Sequence, residues 1–200
     1  MAESSLIHAA TDWVVTNYPY NSRHLVRSLE WLDCIAPAAS EAVRLSTLTH
    51  DMERAFPGPD QPINTRLNDP AYYKAHGARS ARIVSAWVRE QGAAEPLVDE
   101  VFQLVNAHEF GGWPAANLVQ AADSLSFLET NVDLFLGFAT SGKFPARDVG
   151  IKFDRSYERI QVPHARPFAL PLLRAARARL ADLGLDEGPS TVAELAHEGA

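Results

Sequence analysis

Six residues in the first two thirds of the chain carry side chains that bind transition metals. They are four histidines and two aspartates: His24, His50, Asp51, His76, His108 and Asp123. His50 and Asp51 are adjacent, at the end of the apolar-patterned run 43–52. Adjacent residues on a helix point about 100° apart, so this pair can bind one metal ion or two neighbouring ions. The chemistry to consider is therefore that of a protein-bound metal.

The spacing of the apolar residues predicts that these side chains face inward. His76, His108 and Asp123 each fall on an apolar stripe with the period of a helix. An unpaired carboxylate is costly to bury, and the pattern sets no lysine or arginine against Asp51 or Asp123. A bound cation would offset both negative charges. For any one of the histidines, a hydrogen bond to a carbonyl in the core is the alternative interpretation.

Imidazole and carboxylate together favour Mn, Fe, Co, Ni or Zn over Mg and Ca, which prefer shells made only of oxygen. Six ligands exceed what one ion needs when a position is left open for a substrate. They suffice for two divalent transition-metal ions per chain, with one bridging carboxylate and open positions for water. The ligand set therefore predicts a binuclear metal centre.

The elements that must position these residues are helices, because apolar residues recur at helical spacing almost throughout and alternating strand patterns are scarce. The predicted fold class is all-α. Helices are predicted over 5–17, 23–36, 40–53, 71–91, 95–109, 115–137 and 169–183, with a short helix at 154–160 between breaks that include Gly150. Four prolines make 56–70 a loop. Residues 1–185 are expected to form one domain, and 186–200 a flexible tail.

Composition narrows the function further. The chain has 200 residues and a single cysteine, Cys34, which excludes an internal disulfide framework and fits a reducing cytoplasm. The first residues lack the basic and apolar segments of a signal peptide, and no apolar run is long enough to span a bilayer. A net charge of −7 argues against binding to a nucleic-acid polymer. The expectation is a cytoplasmic protein that contacts no membrane.

The order of the six residues resembles the HD-domain superfamily of metal-dependent phosphohydrolases. The shared pattern is a histidine, a His-Asp doublet, two histidines and an aspartate, and it covers roughly residues 20–130. The resemblance implies a helical bundle with a single metal-centred core. The ligands it implies for a first ion are His24, His50, Asp51 and Asp123. Asp51 would bridge to a second ion completed by His76 and His108, and a metal-held water or hydroxide would attack phosphorus.

A small phosphorylated substrate needs cationic groups near the metals, and arginine is the better bidentate donor. Arg54, three residues after Asp51, is the first choice for this role, so these two are the predicted catalytic residues. The alternative for Arg54 is a solvated helix end beside Glu53. Glu109, next to His108, is a candidate proton carrier or a solvent-facing carboxylate. Further candidates for substrate binding are Arg27, Arg79, Lys152 and Arg159, of which the last two otherwise belong to a solvated basic face.

Three functions are compatible with this pattern. The leading hypothesis is an enzyme, a phosphohydrolase that cleaves a small phosphomonoester or nucleotide. The alternative is a di-iron oxygenase of the HD type that cleaves a C–C or C–P bond with O₂, although such oxygenases place the last aspartate much farther along than the 15 residues between His108 and Asp123. The third is a regulatory ligand-binding module, and such modules often lack ligands that are all present here. The substrate, the metal and the oligomeric state stay open.

Overall fold

A computed structural model describes residues 4–192 of the chain. Those residues form nine α-helices, two short 3-10 helices and no β-strand, so the all-α prediction is confirmed. The α-helices are α1 (Ser5–Asn17), α2 (Ser22–Ile35), α3 (Glu41–Thr49), α4 (Pro70–Glu90), α5 (Glu95–Ala107), α6 (Pro114–Thr130), α7 (Val132–Thr140), α8 (Ala146–Glu158) and α9 (Arg166–Ala181). The 3-10 helices are Met52–Ala55, after α3, and Pro163–Ala165, before α9.

Side-chain caps fix where α3 and α4 begin. Ser40 accepts a hydrogen bond from the backbone N–H of Val43 at 3.3 Å. Asp69 accepts one from the backbone N–H of Ala71 at 2.9 Å, and Pro70 occupies the first position of α4, where no N–H is needed. A cap of this kind stabilises a helix by about 1 kcal/mol. Both helices lead to predicted metal ligands, so these caps help to set the register of the site.

Helices α3 and α6 lie at the centre of the fold. Seven of the nine residues of α3 are buried, and so are eleven of the seventeen residues of α6. Helix α3 packs against α1, α2, α5 and α6. A helix that is buried on nearly all sides is typical of the core of a larger bundle. The residues that follow the end of α3 are therefore inside the protein.

Two helix pairs pack against each other extensively, α2 with the central α6 and α4 with α5. Gly77 allows α4 and α5 to approach closely, because a Cβ added at this position would lie 2.9 Å from the carbonyl oxygen of Asn106. That neighbour is a backbone atom, which cannot rotate away. The close approach brings the segment around His76 next to the end of α5, where His108 lies.

We expect Gly77→Ala to lower the free energy of unfolding by about 1–3 kcal/mol, the usual cost of added atoms in a packed interior. The better helix propensity of alanine, worth up to about 1 kcal/mol, offsets part of this cost. Gly137→Ala in α7 is the matched control, because no atom lies within 4 Å of a Cβ added there. Urea denaturation of both variants measures the difference. Equal stability of the two variants would contradict the close contact.

Two predicted helices are interrupted in the structure. The predicted helix 115–137 is divided into α6 and α7 at Asn131, since threonine and asparagine, which meet at this junction, are poor helix formers. The predicted helix 40–53 ends as an α-helix at Thr49 and resumes as a 3-10 helix at Met52. The interruption falls on the His-Asp doublet, so the backbone turns where the predicted ligands lie.

Helices α8 and α9 begin earlier than predicted. The expected short helix 154–160 is the end of α8, which starts at Ala146 and contains Gly150 in its interior. Gly150 does not break the helix. Its missing side chain leaves room for the guanidinium of Arg177 in α9, which occupies the space that a Cβ would need. The glycine thus serves close packing of the two helices. Helix α9 starts at Arg166 and includes Pro171 in its interior.

The segment that follows α9 lies against α8. Asp154 is fully buried and accepts hydrogen bonds from the backbone N–H of Thr191 at 2.7 Å and from Ser190 Oγ at 3.1 Å. Val192 is also buried. Residues 193–200, the end of the expected tail, lie outside the described residues. Within residues 4–192, no helix has the length and apolar character needed to cross a membrane.

Candidate metal centre

The structure brings all six predicted metal ligands together in the interior. They are contributed by α2 (His24), the end of α3 (His50 and Asp51), α4 (His76), the end of α5 (His108) and α6 (Asp123). Each of the six residues is at most 5% exposed. Their burial agrees with the inward orientation that the apolar periodicity predicts.

Two groups of three potential ligands form within this cluster. One group is His24, His50 and Asp123, and the other is Asp51, His76 and His108. In each group the ligand atoms lie within 4.8 Å of one another. The Nε2 atoms of His24 and His50 lie 3.3 and 3.4 Å from Asp123 Oδ1, and His76 Nε2 lies 2.9 Å from Asp51 Oδ1. The adjacent residues His50 and Asp51 therefore belong to different groups.

The rings of His50 and His108 are held by the last turns of α3 and α5. The ring Nδ1 of His50 lies 2.8 Å from the carbonyl oxygen of Thr47, and that of His108 lies 2.7 Å from the carbonyl oxygen of Val105. A carbonyl can only accept, so Nδ1 carries the proton in both rings, and Nε2 of the neutral ring is a free lone pair. These contacts also satisfy carbonyls that a helix end leaves without a partner.

The rings of His24 and His76 have the same arrangement with side-chain acceptors. His24 Nδ1 lies 3.0 Å from Ser126 Oγ, and this hydroxyl donates its own proton to the carbonyl of His24 at 2.7 Å, so it accepts from the ring. His76 Nδ1 lies 2.9 Å from the Glu53 carboxylate. All four histidines therefore have Nδ1 bonded to an acceptor on the far side and Nε2 turned toward the centre of the cluster. This is the arrangement usual for metal-binding histidines.

Two of the inward nitrogens lack a hydrogen-bond partner within the described residues. The Nε2 atoms of His50 and His108 are buried without a hydrogen-bond partner there, which is uncommon in native proteins. The Nε2 atoms of His24 and His76 lie beside carboxylate oxygens of Asp123 and Asp51, and the His76 contact has the length of a hydrogen bond. Two ligand atoms bound to one ion at about 2.1 Å each are separated by about 3.0–3.4 Å. The nitrogen–oxygen distances of 2.9, 3.3 and 3.4 Å match that separation closely, so the residues fit transition-metal ions.

Burial and the carboxylates determine the protonation of the cluster. Burial lowers the pKa of His50, but the charges of Asp123 and Asp51 outweigh it and raise this pKa to about 9. Burial and the charge of His50 lower the pKa of His108 to about 4. Burial favours a neutral Asp51, yet the charge of Arg54 keeps the pKa of this carboxyl well below its usual range. The cluster therefore attracts positive charge, as a proton or as a metal ion.

Both buried aspartates have an arginine against them, Arg54 beside Asp51 and Arg159 beside Asp123, so the expectation that no lysine or arginine faces them is wrong. Arg159, directly after α8, donates a hydrogen bond from Nη2 to Asp123. It also donates from Nη1 to Glu109 Oε2 at 2.6 Å and from Nε to Ser124 Oγ at 2.8 Å. All three guanidinium nitrogens thus have acceptors in the protein. Arg159 therefore positions Asp123 and Glu109, and it also lines the adjoining cavity, so its contact with a substrate stays a prediction.

A cavity of about 260 Å³ adjoins the two ligand groups. Its polar end is lined by His24, Asp51, Arg54, Glu109, Asp123, Lys152 and Arg159. The side chain of Arg54 is 35% exposed, and its Nη1 lies 3.6 Å from Asp51 Oδ2. Lys152 is buried, with Nζ 4.8 Å from the centre of the Tyr73 ring and 4.9 Å from that of Phe127. Arg54 and Lys152 therefore face the cavity beside the potential metal ligands.

The structure does not bring Arg27 or Arg79 to this cavity. Arg27 lies on the outside of α2 and donates to Glu129 at 2.7 Å and to Glu30 at 2.6 Å. Arg79 points inward but donates to the carbonyl of Glu53 at 2.8 Å and to its carboxylate at 3.1 Å. Arg27 is a surface ion-pair residue, and Arg79 holds the 3-10 helix that follows the His-Asp doublet.

Reasoning from the sequence missed Glu53 and Ser126. From the sequence, Glu53 is only the neighbour of Arg54 at a solvated helix end, but it is 1% exposed and binds both His76 and Arg79. These two basic residues lie three positions apart on the inward face of α4, which signals that a buried acceptor is needed. No comparable signal marked Ser126, whose contact with His24 spans 102 positions in sequence.

The described part of the chain thus contains two buried groups of histidine and aspartate that could each bind a metal ion. Each histidine in them is oriented by a hydrogen bond from Nδ1 to an acceptor outside its group. Comparisons of the chain with protein-family models, with curated proteins and with solved structures find no match.

Proposed function

We propose that this chain is a metal-dependent phosphohydrolase of the HD-domain superfamily that cleaves a small phosphomonoester or nucleotide. One observation carries the proposal. Four imidazole nitrogens and two carboxylates converge beside a cavity into which Arg54 and Lys152 also face. The converging ligands favour a binuclear metal centre, and the cations beside it favour an anionic substrate. The order of the six ligands along the chain, which resembles that superfamily, supports the same proposal.

The proposed division of ligands follows the two groups. His24, His50 and Asp123 would hold one ion, His76 and His108 would hold the other, and Asp51, which is grouped with His76 and His108, would serve both. Divalent ions bound there supply a water of lowered pKa as the nucleophile and neutralise charge on the phosphoryl oxygens. The chain itself fixes each imidazole from behind, and such contacts orient the ring and increase its basicity toward a metal.

Arg54 is the residue we assign to the phosphoryl oxygens. Its 3.6 Å separation from Asp51 is longer than a good hydrogen bond, so its N–H groups stay available to a ligand in the cavity. Arg159, in contrast, uses its guanidinium on acceptors of the protein. Lys152 adds a second positive charge in the same cavity, as a point donor without the bidentate geometry of arginine.

Glu109 is the residue we assign to accept a proton or orient the attacking water. It lines the cavity, and its Oε1 lies 4.0 Å from His108 Nε2. Burial raises the pKa of Glu109, but the charges of Lys152 and Arg159 outweigh burial and lower it to about 2. A carboxyl with this pKa is ionised at neutral pH and is a weak base, so of the two roles the orientation of the attacking water by hydrogen bonding suits Glu109 better.

The proposal is tested by measuring metal content and phosphate release on the same preparation. The full chain is purified without chelators, its metals are quantified, and phosphate release is followed with sugar phosphates, nucleotides and aryl phosphates. We expect close to two transition-metal ions per chain and release from at least one ester. Two irons with oxygen consumption and no phosphate release would indicate the oxygenase instead. Protein that neither contains metal nor takes it up would contradict the metal centre itself.

Arg54→Ala is expected to raise KM for phosphomonoesters by at least about tenfold, because a hydrogen bond to a charged group contributes about 1.5–3 kcal/mol. Its metal content should stay that of the unmodified protein, since Arg54 is not a ligand. Arg27→Ala is the matched control, an arginine of the surface paired with Glu129 and Glu30. Unchanged KM in Arg54→Ala, or an equal rise in both variants, would remove Arg54 from the binding site.

A further inference from the structure

The end of the cavity away from the polar cluster is aromatic. It is lined by Phe127, Leu134, Phe135, Phe138 and Phe144. The four phenylalanine rings follow one another edge to face: Phe127 and Phe135 have centroids 5.0 Å apart, Phe135 and Phe138 5.3 Å, and Phe138 and Phe144 5.7 Å. These side chains offer no hydrogen-bond donor or acceptor, and Lys143, which also lines the cavity, places its Nζ 4.2 Å from the centre of the Phe138 ring. This end of the cavity therefore suits an aromatic group, which can contact both the rings and a cation.

The two middle rings are the ones that a ligand can reach. Phe127 and Phe144 are 5% and 6% exposed, whereas Phe135 and Phe138 are only partly buried. Aromatic rings prefer edge-to-face contacts with centroids about 4.5–7 Å apart, so a further ring placed against Phe135 and Phe138 would extend the same series.

A cation connects the aromatic end to the polar end. Lys152 Nζ lies 4.9 Å from the centre of the Phe127 ring, and the same lysine lowers the pKa of Glu109 through its charge. One ligand can therefore place an anionic group beside Lys152 and Arg54 and an apolar group against the phenylalanines. The cavity has a volume of about 260 Å³. Pockets for drug-sized ligands are typically about 300–1,000 Å³, so this cavity suits a smaller molecule.

We infer that the substrate is a phosphomonoester whose organic part is a single apolar aromatic ring, directly on the ester oxygen or one carbon away. This inference rests on the proposed function, because it assigns the phosphate to the metal centre. It adds that Phe135 and Phe138 determine specificity. A nucleoside is larger than a single ring, and the cavity volume of about 260 Å³ favours the smaller group.

The test compares two phosphonates, which resist hydrolysis, on the metal-loaded full chain. Phenylphosphonate and methylphosphonate share the anionic group and differ in the ring, and their binding is measured by calorimetry. We expect phenylphosphonate to bind at least about tenfold more tightly, a difference of about 1.4 kcal/mol. Phe138→Ala should reduce that ratio to about threefold or less, corresponding to about 0.7 kcal/mol. Phe168→Ala is the control, an aromatic residue that is 48% exposed and does not line the cavity.

Phe138→Leu is a second variant that keeps an apolar side chain of similar size, in case the alanine variant is unstable. This variant should also lower the ratio of the affinity for phenylphosphonate to that for methylphosphonate, while the affinity for methylphosphonate itself is unchanged. Any of three results would overturn the inference. The first is an affinity ratio near one in the unmodified protein, and the second is an unchanged ratio in both Phe138 variants. The third is tighter binding of adenosine monophosphate than of phenylphosphonate.

The outcomes also separate this inference from the proposed function. Preference for phenylphosphonate with no phosphate release from any ester would leave the ligand class standing and overturn the hydrolase. Equal hydrolysis of glycerol phosphate and phenyl phosphate, with equal binding of the two phosphonates, would leave the hydrolase standing and overturn the aromatic specificity.

Discussion

Asp51→Ala is expected to lower hydrolysis of every phosphomonoester by more than about 100-fold, since even loss of a residue that only orients a ligand costs about 10–100-fold. Asp51 belongs to one ligand group with His76 and His108, and in our proposal it is shared with the other group. Its removal leaves two imidazoles, too few to hold an ion. We therefore expect the variant to lose at least one of the two ions while its helical circular dichroism is kept.

Metal analysis, steady-state kinetics and circular dichroism on one preparation check this expectation. Asp99→Ala is the matched control, because Asp99 is an exposed aspartate of α5 outside the cluster. It should keep both the metal content and the activity. Activity close to that of the unmodified chain in Asp51→Ala would overturn the proposed mechanism, whereas loss of helical content would show that Asp51 is needed for folding.

Glu53→Ala is expected to lower the free energy of unfolding by about 3 kcal/mol, toward the lower end of the loss seen when one member of a buried ion pair is removed. Glu53 is 1% exposed and pairs with the buried Arg79. The loss stays at the lower end because Arg79 keeps hydrogen bonds to Asp60 at 3.0 Å and to the carbonyl of Phe56 at 2.8 Å. The same change frees the Nδ1–H of His76, so we also expect metal affinity to fall about 10–100-fold.

Urea denaturation of metal-free protein and metal titration measure the two effects separately. Glu90→Ala, at the exposed end of α4, is the control and should change stability by no more than about 0.5 kcal/mol. Glu53→Gln keeps an oxygen that can accept from His76, so it should recover part of the metal affinity. Stability of Glu53→Ala equal to that of Glu90→Ala would show that the buried ion pair does not stabilise the fold.

Local pattern was sufficient for most of the helices and for the burial of the potential ligands. The 3.6-residue period predicted the helix 5–17 with the bounds that α1 has, and it placed His76, His108 and Asp123 on inward faces. Periodicity is a property of consecutive residues, so one sequence contains it in full. Periodicity alone does not predict that the six side chains meet at one site. That prediction came from the order of the six residues along the chain, which resembles a known superfamily.

Tertiary contacts account for what the sequence did not predict. Arg159 reaches Asp123 across 36 positions, and nothing local distinguishes it from the other basic residues of its segment. Glu53 lies in a polar stretch of sequence that is typical of a solvated helix end. It is buried in the structure because its carboxylate contacts His76 and Arg79 of α4. The aromatic end of the cavity depends on the turn at Asn131, where α6 ends and α7 begins. Two poor helix formers redirect the chain there, although periodicity alone predicts one continuous helix.

The division of His50 and Asp51 between the two ligand groups has a further consequence. Consecutive Cα atoms are held about 3.8 Å apart by covalent geometry. The two backbone positions from which His50 and Asp51 extend into different groups therefore have a fixed separation. The other ligands come from α2 and α6 for one group and from α4 and the end of α5 for the other. A shift of either helix pair therefore loosens or tightens its own group, while the Cα atoms of His50 and Asp51 keep their separation.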